Sequence, residues 1–518
     1  MRPSAPLSFV FVVFCATAPA WSATEAAASW GGDPIAPIQA PFPMPQLTRP
    51  LFPARVVDIR EHGAVADGVT KNTAAFAAAI RACAEAGGGR VLVPAGRWLT
   101  GPVHLRSNID LHLAEGAVLV FSDRPEDYLP VVFVRVGGIE LHNYSPFVYA
   151  RDCENIAITG PGRLDGNATA WHPWKTKETK EIFQLAPKGV PVEQRIFGTP
   201  EAAIRPNFVV FMNCRNVLLE GFTIGGGANW TIHPVYCENV IIRRVHVLTD
   251  GPNNDGIDPD SCRNVLIEHC IFDTGDDCVV LKSGYNEDGW RVARPMENLV
   301  MRWCSSKRGH GGLVIGSEMS GDVRNVYVHD CDFEGTDRAV RIKSRRGRGG
   351  VVENVWAENL RVKDLRYEVV IMNMDYSADR NQVANSRPPR FRNFHFRNLT
   401  GRGAPTAILL QGLDDSPVEN VSFEDLAITS TRGVVANNVK ALSFTHVLVT
   451  PTSGPVFDLA NATDIRIRGS KAPVGTEVFL SLKGEHSGGV RIEDSDLSAA
   501  RQKFVTGPGV PADAVVVP

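Results

Sequence analysis

The amino-acid sequence predicts an all-β protein, a right-handed parallel β-helix closed at its N-terminal end by one helix. Three observations carry that prediction. An asparagine followed by a set apolar pattern recurs at Asn216, Asn239, Asn264, Asn298, Asn325, Asn354, Asn393 and Asn420, at steps of 23, 25, 34, 27, 29, 39 and 27 residues. Within each copy Val, Ile and Leu alternate as in short strands with one buried face. Helix-favouring runs are rare beyond the N-terminal region, which argues against leucine-rich and other helical solenoids. A period of this length in β-rich sequence marks one coil per repeat. Stacked coils would lie about 4.8 Å apart, with the asparagines in a ladder at one bend.

Taken in order, residues 1–23 read as a secretory signal. Arg2 gives a positive start, Leu7 to Ala16 a short apolar core, and Ala18, Ala20, Ser22 and Ala23 a small-residue cleavage region. The apolar run is too short for an ordinary membrane span, and no later segment is long and apolar enough for one. Residues 24–53 are proline-rich and predict an extended arm. The solenoid domain is expected over 54–518. Within it, Ala74 to Ala86 places Phe76, Ala79, Ile80 and Cys83 on one helical face, suited to cover an open end, and Gly87-Gly88-Gly89 ends that helix. The stretch Gly166 to Pro206 departs from the repeat and carries Trp171, Trp174 and Lys175; a plain surface loop or a wall at one end of a cleft would both fit.

The 518 residues carry a net charge of −3, close enough to neutral to argue against a nucleic-acid partner. Of ten cysteines, Cys15 falls in the signal. Cys153, Cys214, Cys237 and Cys262 each stand two residues before a ladder asparagine, while Cys270, Cys304 and Cys331 each stand six after one. Residues in one phase stack inside a solenoid. Buried packing as small apolar groups is therefore expected, with disulfides between stacked neighbours as the alternative.

The polar residues share this register. Asp276 lies twelve residues after Asn264, and His310 twelve after Asn298. Asp277 follows Asp276. Asp255 lies sixteen after Asn239, and Arg341 sixteen after Asn325, with Lys343 two further on. Equal counts predict one face. Taken singly, Gly-Asp-Asp is an ordinary turn, Gly-His-Gly a loop and Arg-Ile-Lys an exposed strand, and clustered aspartates also suit calcium. Together they put three carboxylates and a histidine beside fixed cations. Repulsion and burial should raise the pKa of at least one carboxyl, which is what acid–base hydrolysis needs.

The motifs Asn253-Asn254-Asp255, Gly275-Asp276-Asp277, Gly309-His310-Gly311 and Arg341-Ile342-Lys343, in this order, resemble those of glycoside hydrolase family 28, the polygalacturonases. The first has asparagine where threonine is usual. The resemblance runs from about Asp58 through the C-terminal coils. It implies a right-handed parallel β-helix and single-step inverting hydrolysis of an acidic polysaccharide. Asp276 would be the general acid, Asp255 and Asp277 would hold and deprotonate the water, and His310 would tune Asp276. Inverting enzymes separate acid and base by roughly 6.5–9.5 Å. Arg341 and Lys343 would bind the substrate carboxylate, with Tyr376, Lys282 and Arg345 as further candidate contacts. No metal or cofactor is implied, and a monomer is expected. The Arg-Ile-Lys motif favours homogalacturonan, and the run Ser344 to Gly350, with Gly316-Ser317-Glu318-Met319-Ser320-Gly321, resembles the bacterial exo-acting branch. The competing functions are a calcium-dependent pectate lyase and a non-catalytic glycan-binding β-helix.

Overall fold

The structure is a computed structural model that describes residues 33–376 and 387–517. The expected signal segment and Cys15 lie outside the described residues. The chain winds into a right-handed parallel β-helix. One sheet stacks Gly89–Val93, Ile109–Leu113, Glu154–Thr159, Arg215–Glu220, Glu238–Arg243, Arg263–Glu268, Met296–Arg302 and Val323–His329 in parallel register, then continues into long strands such as Val351–Lys363. Ile156, Val217, Val240, Val265, Leu299 and Val326 form one inward column of this sheet, all buried.

The asparagine ladder is present. Each Nδ2 donates to the Oδ1 of the asparagine one coil earlier, from Asn216 to Asn155 at 3.0 Å through to Asn420 and Asn393 at 2.7 Å. Asn216, Asn239, Asn264, Asn298, Asn325, Asn354, Asn393 and Asn420 have φ between 54° and 61°. Asparagine tolerates that left-handed conformation, and its amide both donates and accepts, so one residue makes the bend and links the coils. All nine cysteines of the described residues are free and buried. Those from Cys153 onward donate their thiols to nearby carbonyls, as Cys214 does to Met212 at 3.3 Å and Cys262 to Pro234 at 3.2 Å. Packing, and not cross-linking, is their role in this structure.

The helix Thr73–Glu85 closes the N-terminal end, with Phe76, Ala79, Ile80 and Cys83 buried against the first coils as expected. The arm is no loose linker. From Asp33 onward it lies on the outside of the first sheet, over an outward column of Ala157, Leu218, Ile241, Leu266 and Val300. Leu47 is buried there, and Ile35, Ile38 and Phe42 pack beside it. Arg302 donates to the carbonyls of Ala36 and Pro37 at 2.9 and 2.8 Å, and Arg49 pairs with Glu220 at 2.6 Å. A solenoid exterior this apolar needs such a cover.

The insertion after Gly166 folds on the body as a unit. It holds a 3-10 helix, Ala168–Thr176, and a short helix, Ile182–Leu185. It packs on an antiparallel hairpin of Val132–Val136 and Ile139–Asn143, which the repeat pattern did not predict. Buried ion pairs tie this module to the coils: Arg135 to Asp260 at 2.9 Å, and Arg195 to Asp288 of the helix Asn286–Val292 at 2.9 Å.

Candidate active site

Successive turns at one edge of the solenoid carry the polar residues. Strands His246–Leu248, Ile271–Asp273 and Ser305–Arg308 stack in parallel, and the turns that leave them bear Asp255, the Asp276–Asp277 pair and His310. Tight stacking explains the flanking glycines. A Cβ on Gly275 would lie 2.5 Å from the Gly251 carbonyl, and one on Gly309 2.6 Å from Thr274 Oγ1, with Gly309 at φ 146°. Asn254, in place of the usual threonine, is fully buried. It accepts from Thr249 Oγ1 and the Gly251 N–H, and donates to the carbonyls of Gly227 and Asn229 at 3.2 and 3.1 Å.

The register corrects one expectation. Asp276 and His310 are coil neighbours, as their equal counts predicted. Asp255 and Arg341 are not. Ile257 bridges Val279, which pairs with Leu313, so Asp255 stands beside Asp277 and Gly311. Arg341 pairs with Val314, three residues further along. The turn before Ile257 is longer than the turn before Val340, so equal counts from the ladder end at different phases. Long cationic side chains bridge that difference.

His310 Nδ1 is 2.9 Å from Asp276 Oδ1. Asp277, almost without solvent exposure, accepts from Arg341 Nη1 at 3.2 Å and Lys343 Nζ at 2.6 Å. Tyr376 lies at the rim, its ring centroid 5.4 Å from the Arg341 guanidinium and 5.5 Å from the Lys343 ammonium. Lys282 turns inward: Nζ is 3.0 Å from Glu318, 3.9 Å from Asp255 and 4.0 Å from Asp258, and lies over the Trp230 ring. It serves as a counter-cation to the acids and is hardly exposed. Arg345 follows the strand Val340–Lys343, and its backbone bridges Asp375.

These contacts divide the acids. Burial pushes the Asp255 carboxyl well above its usual range, and Asp276 and Asp258 add to the effect against the pull of Lys282. Burial raises Asp258 likewise. Burial acts on Asp276 too, but the His310 hydrogen bond and the charges of Lys343, His310 and Lys282 outweigh it and hold that carboxyl at about 2. The same hydrogen bond raises His310. The raised carboxyl that the sequence called for exists, but in the free protein it is Asp255, with Asp258 beside it, and not Asp276. Asp258, Glu318 and Trp230 belong to the site and were not predicted. Asp258 lies on the Asp255 segment, three residues on, and Glu318 in the stretch Gly316 to Gly321, and those were the available signals. Both oxygens of Asp258 are buried without a hydrogen-bond partner among the described residues. Asp276, Asp277 and His310 offer atoms within 4.8 Å of one another, a spacing that would suit a cation. Here Arg341 and Lys343 already balance Asp277.

Clustered carboxylates of unlike proton affinity, a histidine on one and a cationic clamp on another, along the flank of a β-helix, define a carbohydrate-cleaving acid–base enzyme. Residues 134–447 match the family described as glycosyl hydrolases family 28. The chain belongs to that family and is a glycoside hydrolase. A probable polygalacturonase of Vitis vinifera is 28% identical over 72% of this chain and 74% of its own. An exo-poly-alpha-D-galacturonosidase of Dickeya chrysanthemi is 25% identical over 83% and 75%. The crystal structure of a hyperthermoactive exopolygalacturonase from Thermotoga maritima superposes with a TM-score of 0.71, at 40% identity, over 78% of this chain and 94% of that one.

Proposed function

We propose that the protein is an exo-acting polygalacturonase that hydrolyses the α-1,4 galacturonosyl bonds of homogalacturonan with inversion. The observation that carries it is the junction of two charge systems: Asp276 with His310, beside Asp277 held by Arg341 and Lys343. A neutral glycan gives those cations nothing to hold, whereas polygalacturonate carries a carboxylate on every sugar.

Asp276 is the general acid, and Asp255 with Asp277 orients and deprotonates the water. In the free protein burial raises the proton affinity of Asp255, while His310 and the nearby cations lower that of Asp276. A uronate carboxylate entering at Arg341 and Lys343 reverses this. It diverts Lys343 and brings a negative charge, and both effects raise Asp276. Once Asp276 is neutral, Asp255 loses a repelling neighbour and releases its proton more readily. Acid and base are then charged as single displacement requires. The proton on Asp276 passes to the leaving oxygen as water attacks the anomeric carbon, and the carboxylates opposite take the water proton. His310 holds Asp276 in place throughout.

The apolar N-terminal segment and cleavage-like small residues support export and a signal over residues 1–23, and no helix of the described residues is long and apolar enough to cross a membrane. The hydrolase unit then spans residues 54–518 and acts as a monomer. The test is incubation with polygalacturonate in the presence of a chelator. Reducing ends without ultraviolet absorbance are expected. Absorbance would mark a lyase, and no product would mark a glycan-binding protein.

A further inference from the structure

The insertion is the same turn that bears Asp255, Asp276 and His310, enlarged two coils before Asp255. It leaves the solenoid after Arg163–Asp165 and rejoins at Val209–Met212, which pairs in turn with Ile232–Val235. It therefore stands on the edge that bears the acids, towards the N-terminal end. Arg341 and Lys343 lie on the opposite, C-terminal side of Asp276.

The insertion is fixed in place. Trp171 is fully buried and meets Tyr128, Tyr144 and Trp174 edge-on at 5.6, 5.7 and 4.8 Å. His172 Nε2 is 3.1 Å from the Gly227 carbonyl. At the far end the buried Arg205 donates to the carbonyls of Pro252 and Ala228 at 2.7 and 2.9 Å, and to Asn253 Oδ1 at 2.9 Å. Both ends are thus fastened beside the turn that presents Asp255. Between them, in the 3-10 helix, stands Lys175. It is half-buried, and among the described residues its ammonium makes no hydrogen bond or ion pair. The charges of Glu178, Arg205, Lys180 and Asp276 reach it, and burial holds it below the usual lysine range. A partly desolvated ammonium without a close partner is unfavourable and gains from an incoming anion.

We infer that Lys175 forms a second carboxylate-binding subsite, which grips the uronate on the N-terminal side of the scissile bond while Arg341 and Lys343 hold its neighbour. The inference rests on the polygalacturonase function proposed above. Coils repeat at about 4.8 Å along the helix axis, so a polymer lying along that axis passes Lys175, Asp276 and then Arg341 with Lys343 in turn. With one charge per ring, a cation on either side of Asp276 centres the bond on the acid. The enzyme would then discriminate against a methyl ester on either flanking sugar.

The test compares Lys175→Met and Lys175→Arg with the wild type on trigalacturonate and on trigalacturonate esterified at the sugar facing Lys175. Loss of one charge-assisted contact should raise KM about tenfold in Lys175→Met. The expected kcat stays within about twofold, as for binding lost equally from ground and transition state. Lys175→Arg should restore most of the affinity, and on the ester the Met variant should equal the wild type. An unchanged KM for Lys175→Met on trigalacturonate overturns the inference. A readout without any variant is reductive methylation of the wild type, followed at Lys175 by mass spectrometry. Digalacturonate should slow it several-fold, and no protection overturns the inference as well. If the wild type itself releases no reducing ends from polygalacturonate, the polygalacturonase function fails, a result separate from both.

Discussion

Asp276 and His310 are joined twice across one coil step. The His310 N–H donates to the Asp276 carbonyl at 2.9 Å, and the imidazole Nδ1 lies 2.9 Å from the Asp276 carboxylate. The first bond belongs to the stacking of the solenoid, so the fold sets the distance at which the side chains meet. A pair built into the stacking needs no loop closure to assemble, which is the kind of support a catalytic group requires.

Asp276→Asn should therefore abolish turnover and leave binding nearly intact. The amide keeps the shape but delivers no proton, and general acid–base catalysis is typically worth 10²–10⁴-fold or so. The checks are kcat on trigalacturonate and calorimetric affinity for the same ligand. Near-normal kcat would remove Asp276 from the role of acid.

Arg341→Ala and Lys343→Ala should each weaken binding of polygalacturonate and lower kcat too. Both side chains also hold Asp277, so each loss leaves a buried carboxylate short of a partner. The expected change in kcat/KM is about tenfold or more. Unchanged kinetics on polygalacturonate would sink the acidic-substrate argument.

Much of this was legible in the chain. The ladder asparagines announce themselves because the bend must be left-handed and the amide must bond both ways, so one residue type recurs. Asp276 and His310 could be placed together because the turns that hold them lie equally far from the ladder. Asp255 and Arg341 show where counting ends: turns of unequal length shift phase, and only the pairing of strands recovers it. The hairpin over Val132–Asn143 and the Lys282–Glu318 contact were hidden for another reason. They arise from segments distant in sequence, and no local pattern records the partner. Proton placement was also out of reach, because it depends on how burial and neighbouring charge compete at each carboxyl.

Asp255→Asn should stabilise the protein at neutral pH. The folded carboxyl titrates above its unfolded value, so the folded state retains a proton that the unfolded chain releases once pH passes about 3.9. Below that pH both states are protonated and no penalty exists. Above it the penalty grows until the folded pKa is reached. A neutral amide removes it, so the variant should melt a few degrees higher at pH 7 and equal the wild type near pH 4. Thermal unfolding at the two pH values decides, and a lower melting point at pH 7 would contradict the assignment of Asp255 as the raised carboxyl.

Leu47→Ala tests the arm. The side chain is buried over Leu218, Ile241 and Leu266, outside the solenoid. Its truncation should cost about 2 kcal/mol or more, if the arm stays docked. If the arm detaches instead, the exposed apolar column should bind a hydrophobic dye without loss of the coil signal in circular dichroism. No change in melting point and no dye binding would mean that the arm contributes nothing to stability.

The last prediction concerns the mode of attack. Mainly monomer or dimer should be released, from a chain end. The insertion stands at the N-terminal end of the row of acids, anchored by Trp171, His172 and Arg205 and held by a buried ion pair between Arg195 and Asp288. As the cleft wall that this prediction takes it to be, an insertion so fastened does not swing aside to let a polymer pass. A short cleft then admits only a few sugars beyond the cut. Of the arginines after Lys343, Arg346 pairs with Asp415, and the buried Arg348 lies over the Tyr285 ring at 3.8 Å and donates to Asn286. Shortening the exposed tip around Lys188 and Gly189, away from the anchors, should leave product sizes unchanged, because the wall is the anchored part. Replacing Arg195 by Met removes one partner of a buried pair and loosens the wall, so longer oligomers should appear among the products. A time course of product sizes, followed together with solution viscosity, is the measurement. A rapid fall in viscosity with intermediate oligomers early in the wild-type reaction would show random internal cleavage and end the exo assignment. The hydrolase function would stand in that case, since it depends on the acids and not on the wall.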